Sequence, residues 1–302
     1  EFKIKVINSD KTDDKKEDET VSNSSQLETK YLENMINKIG VLLGVGLGEA
    51  GSELINCYLN KETDILNIAN SINALFGFCD IRNFTDATEV LQEEVLVFVN
   101  TIADIVHSIA DGGLGAANKN VGDAFLIVWR INPDDDVGSS DFADENIIWM
   151  NLADLALYSI LCITSEIGRA YSLKKFVDNP KMKERVKNFR IRLGFGLHYG
   201  WAIEGALGSH YKVDVTYLSP NVNMAATLEG ETKKYGVPIL VSGEAYDKLS
   251  PYVKGYCRQI DSVDQGHGSE LRLYTPLIND KHLKYTESTS IDRHILKTKE
   301  RF

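Results

Sequence analysis

At 302 residues the chain has room for one large domain with appendages or for two small ones. Its hydrophobic content of 43% is ample for a buried core. A net charge of −11 argues against a protein whose main work is gripping nucleic acid, which needs a basic footprint; an acidic protein still binds a nucleotide when metal ions screen the phosphates.

Residues 1–26 are polar and charged and read as a flexible tail. Across residues 27–60 the apolar positions Leu32, Met35, Ile36, Ile39, Leu42 and Leu43 recur at helical spacing, which predicts an amphipathic helix. It either packs on the core or pairs as a coiled helix that relays a signal. The main domain is expected over 73–276. Ala74–Cys79 suits a buried strand, and Glu89–Asp111 a long amphipathic helix. Asn118–Trp129 reads as a hairpin with Gly122 at its tip. Asn132–Glu145 is an acidic loop, Leu152–Ile167 a second helix, Tyr171–Asn188 a charged surface insertion and Arg190–His198 a strand. Strand, helix, strand, strand, helix, strand is the order of a ferredoxin-like βαββαβ core, an α+β fold with helices on one face of an antiparallel sheet. A C-terminal extension follows, with glycines at 200, 205 and 208, a helix near Asn221–Tyr235 and short strands near Ile239 and Leu271; residues 277–302 form a tail.

Cys57, Cys79, Cys162 and Cys257 make no CxxC pair, which weakens zinc and thioredoxin-like readings. Cys79 and Cys162 lie in apolar runs and read as reduced core residues of a reducing compartment. No stretch reaches the roughly 18 uninterrupted apolar residues of a membrane helix, and no signal peptide is visible. The chain opens on Glu1 rather than Met, which reads as a piece of a longer protein, so an anchor elsewhere stays open.

Two carboxylates carry the chemistry. Asp80 ends the first strand in FCDIRNFT, and Asp123 follows the hairpin glycine in NKNVGDAFLIVW. In the expected sheet the first strand lies beside the hairpin, so both reach one end of the sheet. Taken singly, Asp80 serves as a helix cap and Asp123 as a turn residue. Taken together they suit Mg²⁺, which binds one or two carboxylates and completes its octahedron with substrate phosphates. Ile81–Thr85 runs from strand toward helix, where unpaired backbone N–H groups can cradle phosphate.

These two strings, with LGFGLHYGWAIEGALG (Leu193–Gly208) and YLSPNVNMAATLE (Tyr217–Glu229), resemble the catalytic domain of class III adenylyl and guanylyl cyclases. The first string is similar to protist members. The resemblance implies that Asp80, Asp123 and the Ile81 carbonyl hold two Mg²⁺ or Mn²⁺ ions. It implies that Asn83, Phe84 and Thr85 bind phosphate with Lys212, and that Asn223 orients the ribose. Lys119 and Thr216 fall on the base-reading pair and favour ATP, since guanylyl cyclases carry Glu and Cys there; lysine can donate to adenine N1 and threonine can exchange bonds with the amino group. Members pair head to tail, so the partner is a second copy or a related cyclase domain, with carboxylates from one chain and base-reading residues from the other. The implied product is cyclic AMP, and the implied location is cytoplasmic, including the cytosolic side of a membrane protein.

The pattern departs from the family in three places. Thr227 stands where members carry the arginine that stabilises the reacting phosphorus, Gln265 or Asp264 where they carry a lysine for the triphosphate, and Asn83 where they carry a glycine. Losing one such donor costs about 3 kcal/mol of transition-state stabilisation. The alternatives are therefore an active adenylyl cyclase, a degenerate domain that binds nucleotide as a regulatory or heterodimer partner, and, more remotely, another palm-like enzyme of nucleotide chemistry. Lys233 and Lys234 lie more than one turn beyond Thr227 and are poor substitutes for the arginine.

Overall fold

The computed structural model describes residues 29–42, 46, 51, 69–131, 151–209, 211–266 and 269–277. The chain divides into two compact units, Glu1–Gly46 and Leu47–Phe302. In the first, residues 29–42 form helix α1, with Leu32, Met35, Ile36, Ile39 and Leu42 exposed along it. The expected tails, the acidic loop, Leu43 and Cys57 lie outside the described residues.

The second unit is built on one sheet. Its strands are β1 (Ala69–Ile81), β2 (Ala116–Val121), β3 (Ala124–Ile131), β4 (Leu193–Ser209), β5 (Lys212–Leu218), β6 (Ile239–Ser242), β7 (Cys257–Gly266) and β8 (Ser269–Pro276). They run in the order β2-β3-β1-β4-β6-β8-β7, with β5 paired to β4. β1 is antiparallel to both β3 and β4, which places it at the centre of the βαββαβ core. This is the expected α+β architecture.

Side chains alternate across β1, as the strand period requires. Leu75, Cys79 and Ile81 join the larger core with Phe125, Ile127 and Trp129 of β3 and Phe195 and Leu197 of β4. The helices α3 (Val95–Gly112) and α4 (Leu152–Ile167) cover that face through Phe98, Ile102, Val106, Leu157 and Ile160. Trp129 is fully buried there and donates its indole N–H to the Gly113 carbonyl at 3.0 Å. The opposite residues of β1, Ala74 and Phe76, pack with Leu126, Val128, Ala202, Tyr217 and Ala225. Ala225 belongs to α7 (Pro220–Tyr235), so the C-terminal extension covers the face that the two crossover helices leave bare. α7 starts with a Ser219 cap that accepts from the Asn221 N–H and a proline in its first turn, and stops at left-handed Gly236.

Two expectations need correction. The helix expected over 89–111 is two helices, α2 (Phe84–Leu91) and α3, joined by a 3₁₀ turn at Gln92–Glu94. Gln92 takes φ +49 and breaks the run, although its apolar spacing continues. The charged segment 171–188 is not simply superficial. It forms a 3₁₀ turn (Tyr171–Leu173) and the short helices α5 (Lys174–Val177) and α6 (Pro180–Arg185), anchored by buried Leu173, Phe176 and Met182. Phe176 meets Phe98 edge-on at 5.1 Å, and Arg185 pairs with Asp86 and Glu89 of α2. After β6 come two further short helices, α8 (Gly243–Lys248) and α9 (Pro251–Lys254). Among the described residues, one helical stretch, Phe84–Gly112, is long and apolar enough to cross a membrane. Here Phe98, Ile102, Val106 and Ile109 of that stretch are used in the core.

Candidate active site

Asp80 is the penultimate residue of β1, opposite Ala124 of β3 and Gly194 of β4, on the α7 face. Asp123 occupies the two-residue turn between Val121 and Ala124, after Gly122 at φ +65. Strand register and turn thus bring the two side chains together, and their carboxyl groups lie within hydrogen-bonding reach. A hydrogen bond between two carboxyls needs a proton on one of them. Asp80 is accordingly pushed up to about 6, first by burial, then by the charges of Glu229 and Asp123 and the hydrogen bond its protonated form donates to Asp123, against the pull of Lys233.

Behind Asp80 lies a cluster to whose members, Arg82, Glu229 and Thr232, the motifs assign no role. Arg82 Nη1 is 2.7 Å from Glu229 Oε1 and 3.8 Å from Asp80 Oδ2. Its other nitrogen donates to the Thr232 hydroxyl. Glu229 is 5% exposed, and this arginine is its buried ion-pair partner. Gly194 makes the room: a Cβ there would collide with the Arg82 guanidinium. One turn beyond Glu229, Lys233 reaches to 3.7 Å from Asp80 Oδ2. Lys233 therefore faces the carboxylate pair rather than the place of Thr227. Two signals pointed to the cluster: Glu229 and Lys233 are spaced i, i+4 on one helix face, and Gly194 and Gly196 mark close approach of another element to the strand. At Gly196 a Cβ would collide with the Ala225 carbonyl of α7.

The segment after Asp80 turns through Asn83, whose φ of 59 and ψ of 32 are left-handed. Where the family carries glycine, asparagine is the side chain that best tolerates this conformation. Phe84 and Thr85 open α2, so their N–H groups lie among those with no partner inside the helix. Ile81 pairs with Leu193 at the end of the β1–β4 ladder.

The other expected residues are spread out. Lys119 lies on β2 where its register with β3 shifts between Ala117 and Asn120. Thr216 is buried on β5, opposite Gly205 of β4. From Gly194, beside Asp80, to Gly205 is on the order of 35 Å along β4 at strand spacing. Lys212 begins β5 opposite Ser209, farther still, where it pairs with Asp214 at 3.3 Å. Asn223 and Thr227 are both exposed, one turn apart on the outer face of α7, and the Thr227 hydroxyl donates to the Asn223 carbonyl at 3.0 Å. Asp264 is exposed on β7.

No group of three or more His, Cys, Asp or Glu side chains that could hold a metal gathers among the described residues. The Asp80–Asp123 pair nevertheless fits a hard divalent cation: two adjacent carboxylates, one raised toward neutrality by burial and by its acidic neighbours Glu229 and Asp123, are relieved by positive charge. Mg²⁺ needs no more protein than this when substrate phosphates supply the rest.

A family model described as the RasGEFs all helical domain matches residues 3–60, most of which lie outside the described residues. Among curated proteins, the chain is 29% identical to an adenylate cyclase of Anabaena cylindrica over 57% of its own length and 30% of the relative's. It is 25% identical to the terminal-differentiation specific adenylate cyclase of Dictyostelium discoideum over 93% of this chain and 12% of that protein. The chain thus spans less than a third of either relative. Among solved structures it is similar to a bacterial light-regulated adenylyl cyclase at a TM-score of 0.61 and 23% identity, covering 90% of this chain and 69% of the other. It also matches the adenylyl cyclase CyaB from P. aeruginosa at 0.51 and 19%, covering 72% and 100%. The fold is a mixed α+β fold that resembles the class III nucleotide cyclase catalytic domain.

Proposed function

We propose that this domain is an adenylyl cyclase, converting ATP to 3′,5′-cyclic AMP and pyrophosphate at a site shared head to tail by two copies. The observation that carries the reading is the meeting of Asp80 and Asp123 at one end of the sheet. Two Mg²⁺ or Mn²⁺ ions held by these carboxylates and the Ile81 carbonyl would supply acidity at the ribose 3′-hydroxyl and neutralise the departing pyrophosphate. Asn83, Phe84 and Thr85 present the start of α2 to the phosphates. Asn223, on the exposed face of α7, orients the ribose for in-line attack from the other chain, and Lys119 and Thr216 read adenine. Lys212 serves the terminal phosphates of the partner's site. ATP is favoured over GTP by Lys119 and Thr216 and by the adenylate cyclases among the relatives. A cytoplasmic placement, on the cytosolic side of any membrane-linked full-length protein, follows from ATP as substrate.

A second reading rests on Thr227. Its hydroxyl is engaged by the Asn223 carbonyl and it brings no positive charge to the outer face of α7. A domain lacking that cation could bind nucleotide and regulate, or complete, a related cyclase domain. The deciding assay offers ATP and GTP with Mg²⁺ and with Mn²⁺. Cyclic AMP formation that disappears in Asp80→Ala supports the enzyme; nucleotide binding without product supports the regulatory domain.

A further inference from the structure

His198 of β4 is 5% exposed, and both ring nitrogens are engaged. Its Nε2 lies 3.1 Å from Asn221 Oδ1, and its Nδ1 lies 2.8 Å from Ser242 Oγ. In the neutral ring the neighbours fix which nitrogen carries the hydrogen. The Asn221 Nδ2 donates to the Trp201 carbonyl at 2.8 Å, and a carbonyl only accepts, so Oδ1 faces the ring. Nε2 must then carry the hydrogen, which leaves Nδ1 as acceptor for the Ser242 hydroxyl. Ser242 Oγ in turn accepts from the Ala245 N–H at 3.2 Å, at the start of α8. The Ser219 hydroxyl fills the second site on the Trp201 carbonyl at 2.6 Å. A fully satisfied chain therefore runs from α8 through β6 and β4 into the first turn of α7, and such networks specify one arrangement. Gly200 belongs to it, because a Cβ there would collide with the Asn221 amide.

The consequence lies in helix geometry. With Asn221 held inward against β4, Asn223 is two residues on and about 200° around the axis, so it must face outward. It is exposed there. We infer that His198 is a positioning residue: its Nε2–H clamps Asn221, sets the rotational phase of α7, and so aims Asn223 at the nucleotide. This rests on the cyclase reading for its consequence, but the clamp itself does not. The charged group facing the ring is Glu244 of α8, whose Oε2 is 3.7 Å from Nδ1. Burial lowers the histidine's affinity for a second proton, which keeps the donor–acceptor pattern intact near neutrality.

Two variants separate the clamp from general packing. Gln can place an amide N–H near the Nε2 position, whereas Asn is too short to reach Asn221. In the wild type, ¹⁵N shifts of the His198 ring should report the Nε2–H tautomer; an Nδ1–H ring overturns the assignment. Amide exchange at Asn223 and Met224 should quicken about tenfold or more in His198→Asn and return toward wild type in His198→Gln. With ATP and Mn²⁺, kcat should fall about tenfold or more in His198→Asn while KM stays within about twofold, with recovery in His198→Gln. Equal loss in both variants, or a change in KM alone, overturns the positioning role. A wild type that shows the tautomer and the exchange pattern but makes no cyclic nucleotide retains the clamp and removes the cyclase reading.

Discussion

The two ends of β4 make a comparison within one strand. Near Gly194, one chain gathers Asp80, Asp123, Arg82, Glu229 and Lys233 into contact. Near Gly205 it presents buried Thr216, and the neighbouring buried carboxylate, Glu204, is taken by Arg130. In the proposed cyclase reading the carboxylate end would hold the metals and the Thr216 end would read the base, yet the two ends are separated by tens of ångströms along the strand. On that reading neither end could serve the other within one chain, and a two-fold pairing that lays one end against the opposite end of a second copy would give each its complement.

The largest effect tests that pairing. Asp80→Ala and Asn223→Ala should each lower cyclic AMP formation by about 10³-fold or more as homodimers. Mixed together, they should recover up to roughly a quarter of wild-type activity, because a heterodimer holds one site with all groups present and one with neither. Mixtures no more active than the single variants would place all the groups in one chain. Next comes the base-reading end. Lys119→Glu with Thr216→Cys should move the ATP-to-GTP ratio of kcat/KM toward GTP by about 100-fold, in line with the cost of leaving polar partners unmatched. Unchanged selectivity would remove both residues from the base. A smaller effect is expected at α7. Thr227→Arg should raise turnover about tenfold by restoring a cation that acts on developing charge. A loss would show that the outer face of α7 does not meet the phosphates.

The same comparison shows what a sequence can and cannot disclose. Asp80 and Asp123 were readable because strand ends and glycine turns are local features, and the order of elements then placed both at one end of the sheet. α4 was readable for the same reason: its apolar period is intact from Leu152 to Ile167, with an Asn151 cap. The break at Gln92 was not, because the apolar period runs through it. The anchors Leu173, Phe176 and Met182 were hidden by the charged residues around them. Arg82, Glu229 and Lys233 meet only after β4 and α7 take their register, and Gly194 and Gly196 signalled that a close approach occurs without saying to what. Asn83 illustrates the opposite case: a departure from the family's glycine that the backbone accommodates.

The smallest effect concerns the free energy stored at the carboxylate end, and it needs no catalysis. In the folded chain Asp80 titrates near 6, against 3.8 for an unperturbed aspartate. Between those values the folded state keeps a proton that the unfolded state releases. The stability this contributes is complete below about pH 4 and lost as pH rises through about 6. A full shift of this size would be worth about 3 kcal/mol; with Asp80 partly open to solvent, about 1–2 kcal/mol is expected. Asp80→Asn removes the titration, so in EDTA the variant should melt a few degrees above wild type at pH 7.5. At pH 4 the two should coincide. Adding Mg²⁺ at pH 7.5 should raise the wild type and leave the variant nearly unchanged, since the cation takes the place of the lost proton. Parallel melting curves for both proteins across this range would mean that Asp80 and Asp123 do not share their charge, and the carboxylate end would then be no more preassembled than the base-reading end.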